Sequence, residues 1–198
     1  MKISVIIPSY LGIYKNAASN REEKLIKAVT SALNQDYEDI EVIVIADGCE
    51  RTFKLMDDYD VKLIYIDKQS TYSGNVRNAG IEAATGEVIC YLDADDMFAD
   101  GHLSTIAEHF TGEWVWFNDL TLRREQFVER ECQLKLGFCG TSNIAHLRSL
   151  KARWHEKNRY GHDDWNFIQE LRKEAPGVKI PTTGYVVCHI PYRRGYDV

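Results

Sequence analysis

Through the first hundred positions the apolar residues fall in two patterns. Short unbroken runs alternate with stretches where they recur every three or four positions. Ile3-Ser4-Val5-Ile6-Ile7 is a β-branched run stopped by Pro8, which predicts a buried strand. Asn20 followed by Glu23 has the form of a capping box. Leu25, Ile26, Val29 and Leu33 then repeat at helical spacing up to Gln35. Val42-Ile43-Val44-Ile45, stopped by Asp47-Gly48, predicts a second buried strand, and Leu63-Ile64-Tyr65-Ile66 a third. A helix over 74–84 ends at Gly86, which stands where a glycine C-cap would. Val88-Ile89-Cys90-Tyr91-Leu92 predicts the fourth strand, running straight into Asp93-Ala94-Asp95-Asp96.

Strand and helix alternating at this pitch mean βαβ units and a parallel sheet with helices on both faces. Such sheets bind ligands at the carboxyl ends of their strands. The polar residues there are Ser9 and Tyr10, Asp47 and Gly48, Asp67 and Lys68, and Asp93 to Asp96. The second half is less regular. Trp114-Val115-Trp116-Phe117 predicts a strand, with residues 121–128 pairing to it antiparallel. A further strand falls within 137–147, a helix over 163–173 and a last short strand over 185–189. The fold class expected is α/β, a Rossmann-like, mostly parallel central sheet flanked by helices, with a mixed antiparallel half facing a second substrate. One domain is expected over residues 1–198, a regular half in 1–100 and a mixed half in 101–198.

Composition narrows this picture. At roughly 150 residues per domain, 198 residues make one domain with at most a short appendage. Hydrophobic residues at 44% and charged residues at 27% exclude disordered and fibrous classes. The net charge of −6, with no long run of Lys or Arg, argues against a nucleic-acid partner. The five cysteines include no CxxC pair, which predicts reduced thiols and a cytoplasmic setting rather than a zinc site. The opening MKISVIIPSY is too short for a signal peptide, and no stretch reaches the roughly 18 apolar residues of a membrane span.

Four constellations carry chemistry. Asp93, Asp95 and Asp96 lie within four positions after an apolar strand. They repel one another unless a cation sits among them, and oxygen ligands of this kind suit Mg2+ or Mn2+. The alternative is a solvated turn leading to Asp100 as N-cap of a helix over 101–109. Ser73-Gly74-Asn75-Val76-Arg77-Asn78-Ala79-Gly80 can bring backbone N–H groups and a guanidinium to a diphosphate, or is an ordinary helix with a surface Arg. Tyr160-Gly161-His162-Asp163-Asp164-Trp165 opens a helix with two acids, which serve either as caps or as a general base toward an acceptor hydroxyl. Cys188-His189, with Tyr192-Arg193-Arg194 beyond, offers His189 as a further metal ligand and two arginines for a phosphate. Its alternative is a structural histidine beside a solvated basic face.

Taken together these residues resemble family 2 of the inverting glycosyltransferases, which have the GT-A fold. The family's Pro-Ser/Thr-Tyr stands here as Pro8-Ser9-Tyr10, and its Ser-x-Leu-x-Gln as Ser31-Ala32-Leu33-Asn34-Gln35. Its Asp-Asp-Gly-Ser is Ala46-Asp47-Gly48-Cys49, with Ala46 replacing the first acid. Its Ala-Arg-Asn-x-Gly is Val76-Arg77-Asn78-Ala79-Gly80, and its Gly-Glu strand and acid cluster run from Gly86 to Asp96. Its acceptor-side Glu-Asp-Trp/Tyr matches Asp163-Asp164-Trp165, and its late Tyr-Arg-x-His is only partly kept, as Tyr192-Arg193-Arg194.

The resemblance implies transfer of a sugar from a nucleoside diphosphate donor, a UDP-sugar first of all, with inversion and with Mn2+ or Mg2+. Pro8, Ser9 and Tyr10 would border the nucleoside, and Asp47 would accept from a uracil N–H. Arg77 would lie near the base or diphosphate, Asp93 and Ala94 near the ribose. Asp95, with Asp93 and His189, would hold the metal. Asp164 would be the base, with Asp163 a cap or an acceptor-hydroxyl ligand. The acceptor would be a glycan or a lipid-linked saccharide, which allows peripheral association with the inner face of a membrane. Two rivals are a sugar-1-phosphate nucleotidyltransferase and a non-catalytic nucleotide-sugar-binding module. The first needs a Gly-rich basic loop after strand one, where this chain has Ser9-Tyr10-Leu11-Gly12-Ile13-Tyr14-Lys15. Neither the sugar nor the oligomeric state is legible.

Overall fold

A computed structural model describes residues 1–14, 17, 19–69, 73–123, 126–155 and 162–188. The first half follows in chain order as β1 (Ile3–Ser9), α1 (Arg21–Leu33), β2 (Ile40–Asp47), α2 (Glu50–Met56), β3 (Lys62–Ile66), α3 (Gly74–Ala83) and β4 (Val88–Tyr91). β1 lies between β2 and β4, and β2 between β1 and β3, all parallel. The four apolar runs therefore become four adjacent strands whose carboxyl ends share one edge. Pro8 sits inside β1 rather than ending it. Leu92 N–H donates to the Ile6 carbonyl, so Ile6 and, two residues on, Pro8 face the β4 side. The β1–β4 pairing has stopped at Ile6 and Tyr91, and the missing N–H of Pro8 costs no ladder bond.

The second half comprises β5 (Met97–Phe98), α4 (His102–His109), β6 (Trp114–Trp116), β7 (Asp119–Arg123), β8 (Gln126–Arg130), a 3-10 turn (Thr141–Asn143), β9 (Ile144–Leu147), α5 (Asp163–Glu174), β10 (Val178–Lys179) and β11 (Tyr185–Val187). Among the described residues, one sheet has the order β10-β6-β9-β4-β1-β2-β3 and the other β5-β11-β7-β8. β9 runs antiparallel to both β4 and β6.

The period-two alternation of the strands divides the core. Ile3, Val5, Ile7, Val42, Val44, Val88 and Cys90 pack with Leu25, Ala28 and Val29 of α1 and Leu103 and Ile106 of α4. Ile6, Ile43, Ile45, Ile89 and Tyr91 pack on the other face with Val76 and Ile81 of α3 and Phe167, Ile168 and Leu171 of α5. Each such aliphatic side chain contributes about 1.5–3 kcal/mol by leaving water. A side chain at Gly80 would run into Ile6, so this glycine lets α3 lie close on β1.

Several local expectations are corrected. Asn20 does cap α1, but in the left-handed region (φ 47°) and with no side-chain hydrogen bond to the helix, so no capping box forms. Gly86 is not a C-cap. α3 ends at Ala83, and Gly86 is glycine because a side chain there would meet Ser4 and the Lys2 carbonyl. Gly101 at φ 77° caps α4 in place of Asp100. β7 pairs with β8 in the second sheet and not with β6. The strand expected over 137–147 is a turn followed by β9 alone. His162, not Asp163, holds the N-cap position of α5.

Candidate functional site

The ends of β1, β2 and β3 form one rim. Gly48, just beyond β2, adopts φ 60° and packs so closely on Lys68 that a Cβ would overlap it. This turn brings the β2 and β3 ends together. The Asp47 carboxylate, 5% exposed, accepts from the Gln69 N–H and from Lys68 Nζ, both at 2.6 Å. Lys68 Nζ also stands 4.3 Å from the centroid of the Tyr10 ring. That ring folds back over Gly12, where any side chain would overlap it. Arg21 holds the same loop by donating to the carbonyls of Tyr10 and Leu11, each at 3.0 Å. Pro8 is half-buried at this rim, whereas the Ser9 hydroxyl turns inward to Thr52 at 3.0 Å.

The acid cluster after β4 divides its labour. Asp93 Oδ1 accepts from Arg77 Nη2 at 2.7 Å, and the other terminal nitrogen of Arg77 donates to the Ser73 hydroxyl. The guanidinium is buried and lies 4.7 Å from the Trp154 ring centroid. Burial works against its charge, but Asp93 and Asp164 outweigh that and raise its pKa. Arg77 Nε is buried without a hydrogen-bond partner among the described residues. Next in the chain, Asn78 makes two 2.9 Å hydrogen bonds with the backbone of Trp154, fixing that aromatic over Arg77.

Asp96 faces away from this rim. Its carboxylate accepts from the Tyr185 hydroxyl at 2.9 Å and the Cys188 N–H at 2.7 Å, and the Tyr185 oxygen accepts from Asp93 N–H at 3.1 Å. Burial, then the neighbouring charges of Asp95 and Asp93, push the Asp96 pKa well above the usual carboxylate range. Asp96 thus ties β11 to the turn, while Asp93 and Asp95 remain half-buried, as does Ala94 between them. Ser31 and Gln35 support the same turn from below. Ser31 Oγ accepts from Phe98 N–H, and Gln35 donates to the Ala99 carbonyl and accepts from Leu103 N–H, all at 3.0 Å.

α5 supplies the third part. Asp163 and Asp164 occupy its first turn, where the helix dipole favours negative charge. Asp164 Oδ1 accepts from the Thr141 hydroxyl at 2.6 Å. The 3-10 turn bearing Thr141 is itself fixed by Asp119, which is fully buried. Asp119 accepts from Ser142 Oγ at 2.9 Å, Asn143 Nδ2 at 3.0 Å and Arg130 Nε at 2.8 Å.

Arg77 is therefore hydrogen-bonded to Asp93 and within electrostatic reach of Asp164, and Tyr10, Lys68 and Asp47 meet at the rim of the strand ends. Tyr160, Gly161, His189, Tyr192, Arg193 and Arg194 lie outside the described residues. Among those described, no group of three or more His, Cys, Asp or Glu side chains is placed to hold a metal ion. Two carboxylates do fit Mg2+ or Mn2+, ions that commonly keep water ligands and take phosphate oxygens. Thr141 and Trp154 were not among the residues expected to matter. The Gly140-Thr141-Ser142-Asn143 cluster is a turn signal that argues against an unbroken strand over 137–147, whereas Trp154 is placed by its long-range bonds to Asn78.

Among the described residues, no helix is long and apolar enough to cross a membrane. The family model of glycosyl transferase family 2 matches residues 4–175. An uncharacterised glycosyltransferase of Nostoc is 36% identical over 115 residues, covering 56% of this chain and 33% of that protein. The GalNAc(5)-diNAcBac-PP-undecaprenol beta-1,3-glucosyltransferase of Campylobacter jejuni is 32% identical over 113 residues, covering 54% and 34%. The chain thus spans about a third of the length of these two relatives. Among solved structures, residues 1–349 of TarS from S. aureus in complex with UDP-GlcNAc superpose with a TM-score of 0.73 at 18% identity, covering 100% of this chain and 61% of that one. The mannosyltransferase PcManGT of Pyrobaculum calidifontis, in complex with GDP-Man and Mn2+, gives 0.68 at 16% identity, covering 98% and 58%. The fold is GT-A.

Proposed function

The chain belongs to glycosyl transferase family 2, and we propose that it is an inverting, metal-assisted glycosyltransferase. It would move a sugar from a nucleoside diphosphate donor, a UDP-sugar first of all, to a hydroxyl of a glycan or lipid-linked saccharide. The observation that carries this reading is that one buried guanidinium, Arg77, is hydrogen-bonded to Asp93 after β4 and lies within electrostatic reach of Asp164 on α5. In this reading the nucleoside lies along Tyr10, Asp47 and Lys68. Asp47 already accepts two hydrogen bonds and uses a remaining lone pair for the base. Arg77 lies near the base or the diphosphate.

Asp95 and Asp93 would hold the divalent cation, which when bound neutralises the diphosphate leaving group as a Lewis acid. Asp164 takes the proton of the acceptor hydroxyl. The acceptor oxygen forms its bond to the anomeric carbon from one face as the bond to the diphosphate oxygen breaks on the other, and that oxygen leaves with the electron pair. Asp163, first residue of α5, binds the acceptor hydroxyls. A lipid-linked acceptor, the class named for the Campylobacter relative, would bring the enzyme to the inner face of a membrane.

The test is calorimetric titration of UDP with and without Mn2+. UDP is expected to bind with the metal and to weaken sharply with a chelator or in Asp95→Ala. Equal affinity in all three conditions overturns the metal role of the acid cluster.

A further inference from the structure

We propose that Thr141 is the positioning residue for Asp164, fixing which carboxylate oxygen meets the acceptor. The inference rests on the reading of Asp164 as base. Thr141 is 4% exposed, and its hydroxyl donates to Asp164 Oδ1 at 2.6 Å. That is the length of a charge-assisted O–H···O⁻ bond. The other oxygen, Oδ2, lies against Gly140. A Cβ built on that glycine would stand 3.1 Å from Oδ2 and 3.8 Å from the carboxylate carbon. The carboxylate is thus held on one side by a hydroxyl and seated on bare backbone on the other.

The support behind Thr141 is rigid. Gly140 N–H donates to Asn143 Oδ1 at 3.0 Å, closing the turn. Asn143 and Ser142 donate in turn to the fully buried Asp119 of β7, and Asn143 Nδ2 also reaches the Phe117 carbonyl at 3.1 Å. Asp164 itself comes from the first turn of α5, where a carboxylate free to rotate would have several staggered positions open to it. The chain Asp119, Ser142–Asn143, Thr141, Asp164 selects one of them. With Oδ1 engaged, Oδ2 is the oxygen placed to accept the acceptor's proton. A base misplaced by an ångström loses much of its advantage, so the hydroxyl matters to turnover and not to donor affinity.

The full chain is assayed with Mn2+ for release of nucleoside diphosphate to water, using whichever of UDP-GlcNAc, UDP-glucose or GDP-mannose it hydrolyses fastest. Thr141→Val is expected to lower kcat by about 10- to 100-fold with the donor KM unchanged, and Thr141→Ser to restore it. Thr141→Ala replaces the valine variant if that does not fold. An unchanged kcat in Thr141→Val while Asp164→Asn is inactive overturns the inference and leaves the base in place. An active Asp164→Asn overturns the reading of the base, and the inference with it. A serine variant as slow as the valine one also overturns it, because packing rather than the hydroxyl would then be at work. A crystal structure of Thr141→Val gives an answer independent of activity. The Asp164 carboxylate is expected to leave its seat on Gly140, and an unmoved carboxylate overturns the inference.

Discussion

β1 and β2 pair over seven consecutive residues, from Ile3 with Ile40 to Ser9 with Ala46. β5, β10 and β11 of the second half are two or three residues long. The first half places Asp47 at the end of β2, Arg77 on α3 and Asp93 two residues past β4, around a sheet held by parallel ladder bonds and two apolar faces. The second half places Thr141 against Asp164 of α5 through a side-chain knot centred on Asp119, and a second knot of Asp96 and Tyr185 ties β11 to the turn after β4. A ladder spreads its stabilisation over many equivalent bonds and tolerates the loss of one. A knot concentrates it in a few buried groups, and losing one strands its partners without water. The first half is accordingly expected to tolerate single losses, and the second half to fail more abruptly.

The largest effect expected is chemical. Asp164→Asn should lower transfer or hydrolysis by about 10²–10⁴-fold while keeping UDP binding with Mn2+ and the melting temperature. Asp163→Asn should cost mainly stability or acceptor affinity. Kinetics of nucleoside diphosphate release and calorimetry on the two variants check this, and a dead but folded Asp163→Asn beside an active Asp164→Asn reverses the assignment.

Next in size is the knot itself. Asp119→Ala leaves Asn143 and Ser142 without their buried acceptor, at a cost of about 2–3 kcal/mol. Thermal denaturation should show the loss. Turnover should fall more than donor affinity, because the turn behind Thr141 loosens while the parallel strands stay in place.

The smallest effect probes the first half. Glu41, on β2, accepts from Ser4 Oγ and from the N–H groups of Thr85 and Gly86. Burial opposes its charge, but these hydrogen bonds prevail and lower its pKa from 4.5 to about 2. A depressed carboxylate stabilises the fold above pH 4.5, and that stabilisation drains away as pH falls through about 2. Glu41→Gln should therefore cost about 1 kcal/mol at neutral pH. The gap from the unaltered protein should close as pH is lowered from 4.5 toward 2 in urea titrations. A gap that persists at low pH would mean that the parallel ladder depends on Glu41 through packing and not charge.

By itself the sequence determined the first half of the sheet, because short apolar runs rich in β-branched residues settle as strands of a covered parallel sheet, with β3 at its half-exposed edge. It also marked Asp47, Asp93 and Asp164 as candidates, since acids at strand ends and helix starts need a partner or a ligand, and Arg77 as a guanidinium near a helix start. Only the tertiary structure decided how the acids share their tasks. Asp96 and Asp95 are adjacent and chemically alike in the chain, yet Asp96 is spent on Tyr185 and the Cys188 backbone, residues some ninety positions away. Gln69 and Lys68 close on Asp47 because Gly48 brings two strand ends together. Thr141 meets Asp164 because Asp119 holds its turn. Such contacts depend on side-chain direction across distant segments, which local pattern does not encode, and they set which oxygen of which carboxylate is left for chemistry.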